Sequence, residues 1–411
     1  MRVLVAPDCF TGTLTAPQAA AAIARGWAAA APHDSVEQCP LADGGPGFVQ
    51  VLHQALGGEL GPVTVTGPLG EQVPATILLV PGEGGATAYV ESAEAAGLEL
   101  VPTDRRDPTR TTSLGVGQLV RAALEAGAKR VVVGVGGTAT NDGGAGLLAG
   151  LGGWTGGALV RGGGELGSVT GADLAGLGAL ARELEGVDLV VAVDVDVPLL
   201  GLHGASAGFA EQKGATPEQA QHLERVLGHF AHLAQEVVRS DGPPRSRHLP
   251  LAAPSGAHGP DDGHGHAHPP GGRGSSRVAA LPGAGAGGGI GFGLALLGAR
   301  LVPGARVVAE AVGLADRIAG ADLVVTGEGK FDWQSLRGKA ASMVAEAALA
   351  AGVPTVVLSG QVEMGRREWA SAGISGVYAV AESPAQIAEA LADPVGSLEA
   401  RAARLGKNWS H

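Results

Sequence analysis

The sequence predicts an α/β protein in which a doubly wound parallel sheet is interrupted by a second α/β domain. Two observations carry this prediction. Strand and helix patterns alternate at both ends of the 411-residue chain, as they do in doubly wound domains. Between these ends, from about residue 62, short β-rich runs joined by Gly/Pro turns replace the alternation, which is typical of antiparallel hairpins.

The first part of the chain contains two strand–helix pairs. The run RVLVAP is short, apolar and branched, as in a buried strand. Thr15 then supplies a helix N-cap, Pro17 sits in the first turn and Gln18 lies at the capping-box position. This helix should extend to about Trp27. The second pair consists of a strand over 35–41 and a helix with the sequence FVQVLHQAL.

The middle of the chain contains three short β-rich runs, followed by a helix and two further strands. Turns such as GPLGEQ join the β-rich runs, so we expect these runs to pair as antiparallel strands. The predicted strands of this part cover residues 63–66, 75–80, 87–91, 130–135 and 188–193, and the helix covers roughly 115–127.

The last part returns to α/β alternation, with predicted strands over 322–329, 354–360 and 376–382. The economical interpretation joins these strands to the first two in one five-stranded sheet with helices on both faces. Residues 1–62 and 299–411 then form a discontinuous domain, and residues 63–298 form a domain inserted into it. Ligands of such sheets bind outside the carboxyl ends of the strands, where the active site is therefore expected.

Residues 241–277 differ from the rest of the chain, because they are rich in Pro, Gly, His and Ser and show no apolar period. Such segments bury too little apolar surface to fold, so we predict a disordered surface insertion. Its histidines, including His264, His266 and His268, could hold a metal loosely, but a solvated linker is the simpler interpretation.

The composition excludes several classes of partner. The formal net charge is −12 at pH 7 and no basic face stands out, so neither nucleic acid nor an anionic membrane is expected to bind. No uninterrupted apolar stretch reaches the roughly 18 residues of a transmembrane helix. The two cysteines make neither a disulfide framework nor a zinc site, so we expect a protein of the reducing cytoplasm. We expect it to be a monomer or a homodimer.

Glycine-rich segments that carry acids recur at the predicted strand ends. Glycines let backbone N–H groups approach a phosphate, and neighbouring carboxylates can hold Mg²⁺. A phosphoryl-transfer cleft needs this combination, because its chemistry rests on positioning and charge stabilisation. The segments are DCFTGT from Asp8, ADGG with Asp43, GVGGTATNDGG with Asn141 and Asp142, GEGKFDWQ with Glu328 and Asp332, and the acid-free PGAGAGGGI around Gly285.

Each segment also has a simpler interpretation. A single Asp-Gly-Gly is usually a turn, and TATND could be an Asx-type turn that caps a helix. Asp194 and Asp196 alternate on a strand and could be solvated edge residues, whereas Lys330 and Lys339 could be plain surface charges. A loose dinucleotide fingerprint starts at Gly134, but the acid expected about 20 residues later does not appear cleanly. The functional interpretation rests on all segments occurring together at strand ends.

The order of the motifs resembles the bacterial glycerate kinases of the type I family. The resemblance extends from Val3 to about Gly360, and seven motifs in a single order make it specific. The motifs are APDCFTGTLTAPQAAAAIARGW, PLADGGPG, TTSLGVGQLVRAALEAG, GVGGTATNDGGAGLLAGLG, DVDVPLLGLHGASAGFAEQKGA, PGAGAGGGIGFGLAL and ADLVVTGEGKFDWQSLRGK.

This resemblance implies transfer of a phosphoryl group from ATP to D-glycerate with Mg²⁺ as the metal. Members similar to this chain usually make 2-phosphoglycerate. The resemblance also implies a flavodoxin-like domain that carries an inserted α/β domain, with the active site in the cleft between them. This arrangement agrees with the domain division drawn from the strand pattern.

The resemblance suggests roles for the acids. Asp194 and Glu328, together with Asp332 or Asp43, would surround Mg²⁺ and the substrate. Asp142 or Asp43 would accept the proton of the glycerate hydroxyl, and the sequence does not choose between them. An acid beside a bare phosphate would repel it, so we expect Asp142 near Mg²⁺ or at the glycerate hydroxyl.

Cations and glycines complete the expected site. Lys213 and Lys339 would offset phosphate charge, and Arg110, or Arg106 nearby, would help to hold the glycerate carboxylate; the simpler interpretation is an exposed arginine at a helix end. The helix that begins near Gly144 should point its first N–H groups at an anion in the cleft. The remaining expected contacts to phosphate or substrate are Asp8, Gly44, Gly45, Gly136, Gly137, Thr138, Asn141 and Gly285.

The chain departs from the family pattern at three positions. Thr11 stands where the family usually has lysine, Pro46 where it has an acid, and Val197 where it has asparagine. The lost lysine removes one cation near the cleft. The departures at Thr11 and Val197 support an alternative function, a non-catalytic acid-binding or regulatory protein on the same scaffold. An NAD-dependent dehydrogenase is a third alternative, but the acid that would bind the ribose is not in its place.

Overall fold

A computed structural model of the chain describes residues 1–240, 278–336 and 338–410. The insertion predicted at 241–277 lies outside these described residues. Within them, the α/β class predicted from the sequence is confirmed. The strands are β1 (Arg2–Val5), β2 (Ser35–Gln38), β3 (Glu59–Thr66), β4 (Gln72–Val80), β5 (Thr87–Glu91), β6 (Arg130–Gly134), β7 (Asp188–Val193), β8 (Arg300–Pro303), β9 (Leu323–Thr326), β10 (Lys330–Phe331), β11 (Thr355–Ser359), β12 (Gln361–Val362) and β13 (Gly376–Ala379).

The helices begin with α1, which follows Thr15 as predicted. Thr15 and Gln18 form a capping box, in which the backbone N–H of each residue donates to the side chain of the other. The α-helices are α1 (Ala16–Ala30), α2 (Phe48–Leu56), α3 (Ser92–Ala96), α4 (Leu114–Glu125), α5 (Ala145–Gly152), α6 (Leu177–Glu183), α7 (Ala205–Phe209), α8 (Pro217–Ser240), α9 (Ala286–Leu296), α10 (Gly304–Ala311), α11 (Leu314–Ala319), α12 (Ala340–Ala351), α13 (Arg366–Ser371), α14 (Pro384–Ala392) and α15 (Pro394–Trp409). None of the helices in the described part of the chain is long and apolar enough to cross a membrane.

The first sheet has the strand order β13-β11-β9-β1-β2, and all its neighbouring strands run parallel. It therefore joins the first two and the last three predicted strands, as expected. Successive side chains of a strand point to opposite faces of the sheet. On β1, Val3 and Val5 accordingly pack with α1 and α15, whereas Leu4 packs in a different cluster with α12.

The second sheet has the strand order β3-β4-β5-β6-β7-β8. Its first three strands pair antiparallel, as the β-rich runs predicted, and β5 to β8 pair parallel. This sheet begins at Glu59 and ends at Pro303, a few residues outside the division expected at 62/63 and 298/299. The division of the chain into two domains remains our proposal.

One hydrophobic cluster connects the two sheets. It contains Leu4 and Val324 from the first sheet and Val132 and Val190 from the second. Between them lie apolar side chains of α2, α10 and α12, all members of the same cluster. Helices α2 and α10 pack on the second sheet and α12 packs on the first, so the contact between α10 and α12 joins the two sheets.

The two sheets also meet through a close backbone contact. The loop after β2, residues 42–47, which we call the Asp43 loop, lies against the ends of β6 and β7. The Gly136 N–H donates to the carbonyl oxygen of Gly44 at 3.0 Å. A Cβ on Gly44 would lie 2.6 Å from the carbonyl oxygen of Ala192, and one on Gly136 would lie 2.7 Å from Cα of Gly45. Any larger residue at Gly44 or Gly136 would collide with backbone, so these two glycines are needed to pack the two sheets together.

We predict that Gly44→Ala lowers the free energy of unfolding by about 3 kcal/mol or more. The residue has φ +97°, which strains an L side chain, and its Cβ would also collide with backbone. Gly70 is the matched control, because it has φ +93° in the β3–β4 turn and a Cβ there meets nothing within 4 Å. Gly70→Ala should therefore cost only about 1–2 kcal/mol. Urea denaturation measures both values, and equal losses would contradict the packing role of Gly44.

Candidate active site

A cavity of about 460 Å³ lies where the carboxyl ends of the strands of both sheets meet. Its walls come from segments that follow β1, β2, β9 and β11 in the first sheet and β6 and β7 in the second. The position agrees with the general location of ligand sites in parallel sheets. The predicted site residues that line it are Asp8, Asp43, Gly45, Gly137, Asp194, Glu328, Asp332 and Lys339.

Four carboxylates interact in this cavity. Burial raises the pKa of Asp194 to about 6, and the charge of Asp43 adds to the effect. Burial also raises the pKa of Glu328 to about 7, again with a contribution from Asp43. The pKa of Asp8 lies well above its ordinary value because of burial and the charges of Asp43 and Glu328. The cluster is therefore unfavourable for an empty protein and suits a cationic ligand.

Lys339 is the cavity lysine on which all four carboxylates act, whereas Lys330, which also lines the cavity, pairs with Glu363. Burial alone would lower the pKa of its ammonium group, but the charges of Asp43, Glu328, Asp194 and Asp8 outweigh burial and raise the pKa above its ordinary value. Lys339 also directly precedes α12, whose N-terminus is capped by no side chain among the described residues. A helix N-terminus and a lysine side by side favour an anion.

Two carboxylate oxygens of the cluster lack partners. Asp194 Oδ1 and Glu328 Oε1 are buried and accept no hydrogen bond from the described residues. A buried unpartnered acceptor costs about 1–3 kcal/mol, more when it is charged, and a bound cation would remove that cost at these two atoms, whose residues line the cavity. Mg²⁺ takes hard oxygen ligands and commonly uses one or two carboxylates plus substrate phosphates. Asp194 and Glu328 fit that requirement.

The described part of the structure does not group three carboxylates around one point, although we expected this of Asp194 and Glu328 with Asp332 or Asp43. Among the residues that the structure describes, no three His, Cys, Asp or Glu side chains are grouped so that they could hold a metal by themselves. Asp332 lines the cavity, but its Oδ1 accepts the backbone N–H of Gln334 at 2.8 Å. A metal here would therefore need oxygens from a substrate in addition to Asp194 and Glu328.

The structure places Asp142 away from the cavity, contrary to our expectation that it acts on substrate or metal. It is fully buried. Its Oδ1 accepts the N–H of Gly144 at 3.0 Å, and its Oδ2 accepts the N–H groups of Ser113 and Gly146 at 2.8 and 3.3 Å. Burial raises the pKa of Asp142, and these hydrogen bonds oppose the rise. The N-terminus of α5 is thus capped internally and does not offer free N–H groups to an anion.

The remaining polar residues of the GVGGTATNDGG loop also bond within the protein. Lys213 Nζ donates to the carbonyl oxygen of Thr140 at 2.7 Å and to Thr138 Oγ1 at 3.4 Å. Burial lowers the pKa of Lys213 to about 8. Asn141 Nδ2 donates to Ser206 Oγ at 3.1 Å. These side chains hold the loop in shape, whereas Gly137 alone of its predicted contacts lines the cavity.

Neither candidate arginine reaches the cavity. Arg110 is exposed and lines a separate surface pocket with Arg161 and His222. The guanidinium of Arg106 donates to the carbonyl oxygens of Val101 and Leu98, both at 3.4 Å. The glycerate carboxylate contact expected of these arginines is therefore not supported by their positions.

The glycines expected to contact phosphate divide into three groups. Gly45 and Gly137 line the cavity, and their contact with phosphate stays a prediction. Gly44 and Gly136 form the backbone contact between the two sheets. Gly285 lies outside the cavity, and its N–H donates to the carbonyl oxygen of Val197 at 3.0 Å.

Two of the three family departures lie at the cavity. Thr11 and Pro46 line it, so the missing lysine and the missing acid both alter its charge. Val197 does not line it, and its carbonyl oxygen accepts N–H groups of Gly283 and Gly285 instead. Val197 itself therefore contributes nothing to the lining of the cavity.

Sequence reasoning missed Glu91, which supports the Asp43 loop from behind. Its carboxylate accepts the Gly47 N–H at 3.1 Å and the Val49 N–H at 3.4 Å, which places it at the N-terminus of α2. Burial raises the pKa of Glu91 to about 7, with a contribution from Glu94 and opposition from the N–H groups. The available signal was an acid at the end of the otherwise uncharged strand TAYVE.

We predict that Asp142→Asn destabilises the protein. Each carboxylate oxygen faces a backbone N–H donor, so the new amide NH₂ would oppose a donor in either orientation. An unsatisfied buried donor costs about 1–3 kcal/mol, and urea denaturation should show a loss of this size. A variant of unchanged stability that has lost turnover would restore Asp142 as a candidate general base.

We predict that stability falls as the pH rises from 5 to 8 in the absence of metal and nucleotide. Asp194 and Glu328 have folded pKa values of about 6 and about 7, above those of unfolded acids near 4. The folded state therefore retains protons that the unfolded state has released, and its advantage is lost as these acids ionise. Asp194→Asn should reduce the pH dependence by about 1–3 kcal/mol. Asp196→Asn is the control, because Asp196 is exposed outside the cavity; equal effects of the two would contradict this account.

Comparisons with known proteins agree with the geometry. The sequence profile of the glycerate kinase family matches residues 3–410. The chain is 38% identical to the glycerate kinase of Bacillus subtilis, over 92% of this chain and 90% of that protein. It is 35% identical to the glycerate 2-kinase of Escherichia coli, over 95% and 93% of the two chains.

A solved structure agrees at the level of the fold. The crystal structure of a Salmonella typhimurium LT2 protein assigned as glycerate kinase 2 superimposes with a TM-score of 0.73 at 34% identity. The match covers 99% of this chain and 98% of that one. The family profile matches nearly the whole chain, and the chain is similar to named glycerate kinases over almost their full length. The chain belongs to the glycerate kinase family.

Proposed function

We propose that this kinase is of type I, uses ATP, and phosphorylates D-glycerate to 2-phosphoglycerate. The observation that carries the proposal is the convergence of four carboxylates on Lys339, with two carboxylate oxygens left unpartnered. A site for a metal–phosphate complex needs this combination of acceptors and one cation. An apolar metabolite would gain nothing from it.

The phosphates of ATP are proposed to lie between Lys339 and the N-terminus of α12. The ammonium group and the uncapped N–H groups of the helix both favour negative charge. Lys213, which we expected to share this role, bonds to the loop at Thr140 and does not line the cavity. Lys339 is therefore the principal lysine of the proposed phosphate site.

Asp194 and Glu328 are proposed to hold Mg²⁺ through their unpartnered oxygens. When bound, the ion would neutralise charge on the phosphate oxygens during transfer. Asp332 lies beside Glu328, whose pKa its charge helps to raise, and would support the metal site from its edge.

Asp43 is proposed to accept the proton of the glycerate hydroxyl. The hydroxyl oxygen forms a bond to the γ-phosphorus, the bond from this phosphorus to the oxygen of ADP breaks, and the proton passes to the carboxylate. The N–H of Gly45 donates to Asp43 Oδ1 at 3.2 Å, which orients the side chain. The alternative base, Asp142, has both oxygens occupied and lies outside the cavity.

The choice of 2-phosphoglycerate is supported by the family resemblance and by the relative named glycerate 2-kinase. D-glycerate carries hydroxyl groups on C2 and C3, so the product identifies the group that attacks. Purified protein with ATP, Mg²⁺ and D-glycerate should release ADP. In ³¹P NMR the product should give a doublet, because C2 bears a single hydrogen; a triplet would show that the phosphate is on C3.

Absence of ADP release above background would contradict a kinase. Calorimetry then separates the remaining interpretations. Binding of D-glycerate without turnover would favour the non-catalytic acid-binding alternative, whose support at the cavity is Thr11 in place of lysine.

A pair of variants tests the assignment of the cation. Lys339→Ala should reduce kcat/KM by about 10²-fold, the effect of removing one group that stabilises transition-state charge. Arg110→Ala is the control and should leave kcat and both KM values unchanged, since Arg110 lies outside the cavity. A rise in the KM for glycerate in the Arg110 variant would return this arginine to the site.

A further inference from the structure

Besides its charged end, the cavity has an apolar end, which has no role in the proposed binding of metal and phosphates. Ile387, Ala390 and Leu391 line it from α14. Pro394 and Leu398 line it from the beginning of α15. One cavity thus combines a group of charges with an aliphatic wall.

Among the described residues, α14 packs against α15 but leaves its apolar face partly uncovered. None of the residues of this helix is buried, although its sequence PAQIAEALA is mostly apolar. Ile387, Ala390 and Leu391 are spaced i, i+3 and i+4, so they share one face, and this face lines the cavity. Leu391 remains 61% exposed. A partner for this face would have to occupy the cavity itself.

The two ends of the cavity define the chemistry of a ligand that fills it. D-glycerate has an oxygen on every carbon, so it belongs at the charged end and has no apolar face for α14. A nucleoside triphosphate has a charged chain and a flat base that packs well against aliphatic side chains. The volume of about 460 Å³ is within the usual size of small-molecule sites.

We propose that Ile387, Ala390 and Leu391 form the subsite for the base of the nucleoside triphosphate. The phosphate chain then runs from this wall toward Lys339, which lines the same cavity. The inference rests on the proposed kinase function and adds the location of the base. The wall consists of aliphatic atoms, so it binds the base through contact area.

Two probes separate the base from the phosphates. In calorimetry with the full-length protein, Leu391→Ser should weaken ADP binding by about 10-fold, because a contact worth a leucine side chain is lost. Inorganic tripolyphosphate has no base and should bind the variant as it binds the wild type. Leu349→Ser is the matched control, since Leu349 is 62% exposed on α12 but does not line the cavity; it should change neither affinity.

Equal weakening of both probes in the Leu391 variant, or unchanged ADP binding, would overturn the assignment. Thermal unfolding by circular dichroism verifies that the variant is folded, and Ile387→Ser tests the same face if it is not. Turnover is measured separately on the wild type. If ADP binding depends on Leu391 but D-glycerate is not phosphorylated, the proposed function fails and the base subsite stands.

Discussion

The position of Asp194 relative to the other charged groups of the cavity depends on one backbone contact, between the Asp43 loop and the ends of β6 and β7. The hydrogen bond from Gly136 to Gly44 sets the register of this contact, and the missing side chains allow it. The contact places Asp43 near Asp194, although these acids follow strands of different sheets. Glu91 supports the loop from behind, so the acid cluster depends on the packing of both sheets.

The buried acids of this protein fall into two kinds. Asp142 is surrounded by N–H and O–H donors, which repay the cost of removing its charge from water. Asp194 and Glu328 each leave an oxygen unpartnered and repel neighbouring acids, so they reduce stability in the absence of a ligand. Carboxylates therefore hold the fold together in one place and reduce stability in the other, where we propose that a ligand binds.

Helix N-termini show a similar division. Those of α5 and α2 are occupied by Asp142 and Glu91, which bind the N–H groups that an external anion would otherwise use. The N-terminus of α12 has no such side chain among the described residues, and it adjoins Lys339 at the cavity. This N-terminus is where we propose that the phosphates bind, whereas the glycine-rich loop after β6 packs against the Asp43 loop of the first sheet.

The sequence by itself determined the α/β class, the strands of the first sheet and the acids that end them. These features depend on local patterns, because apolar periodicity, turn residues and caps are set by neighbours along the chain. Only the tertiary structure decided which acids face the cavity. Asp142 and Asp194 both follow buried strands, but Asp142 meets Ser113, a partner 29 residues earlier in the chain, and Asp194 meets Asp43. The sequence also could not predict the apolar wall that α14 forms in the cavity. A helical pattern identifies an apolar face, but it does not show whether that face packs on another element or lines a cavity.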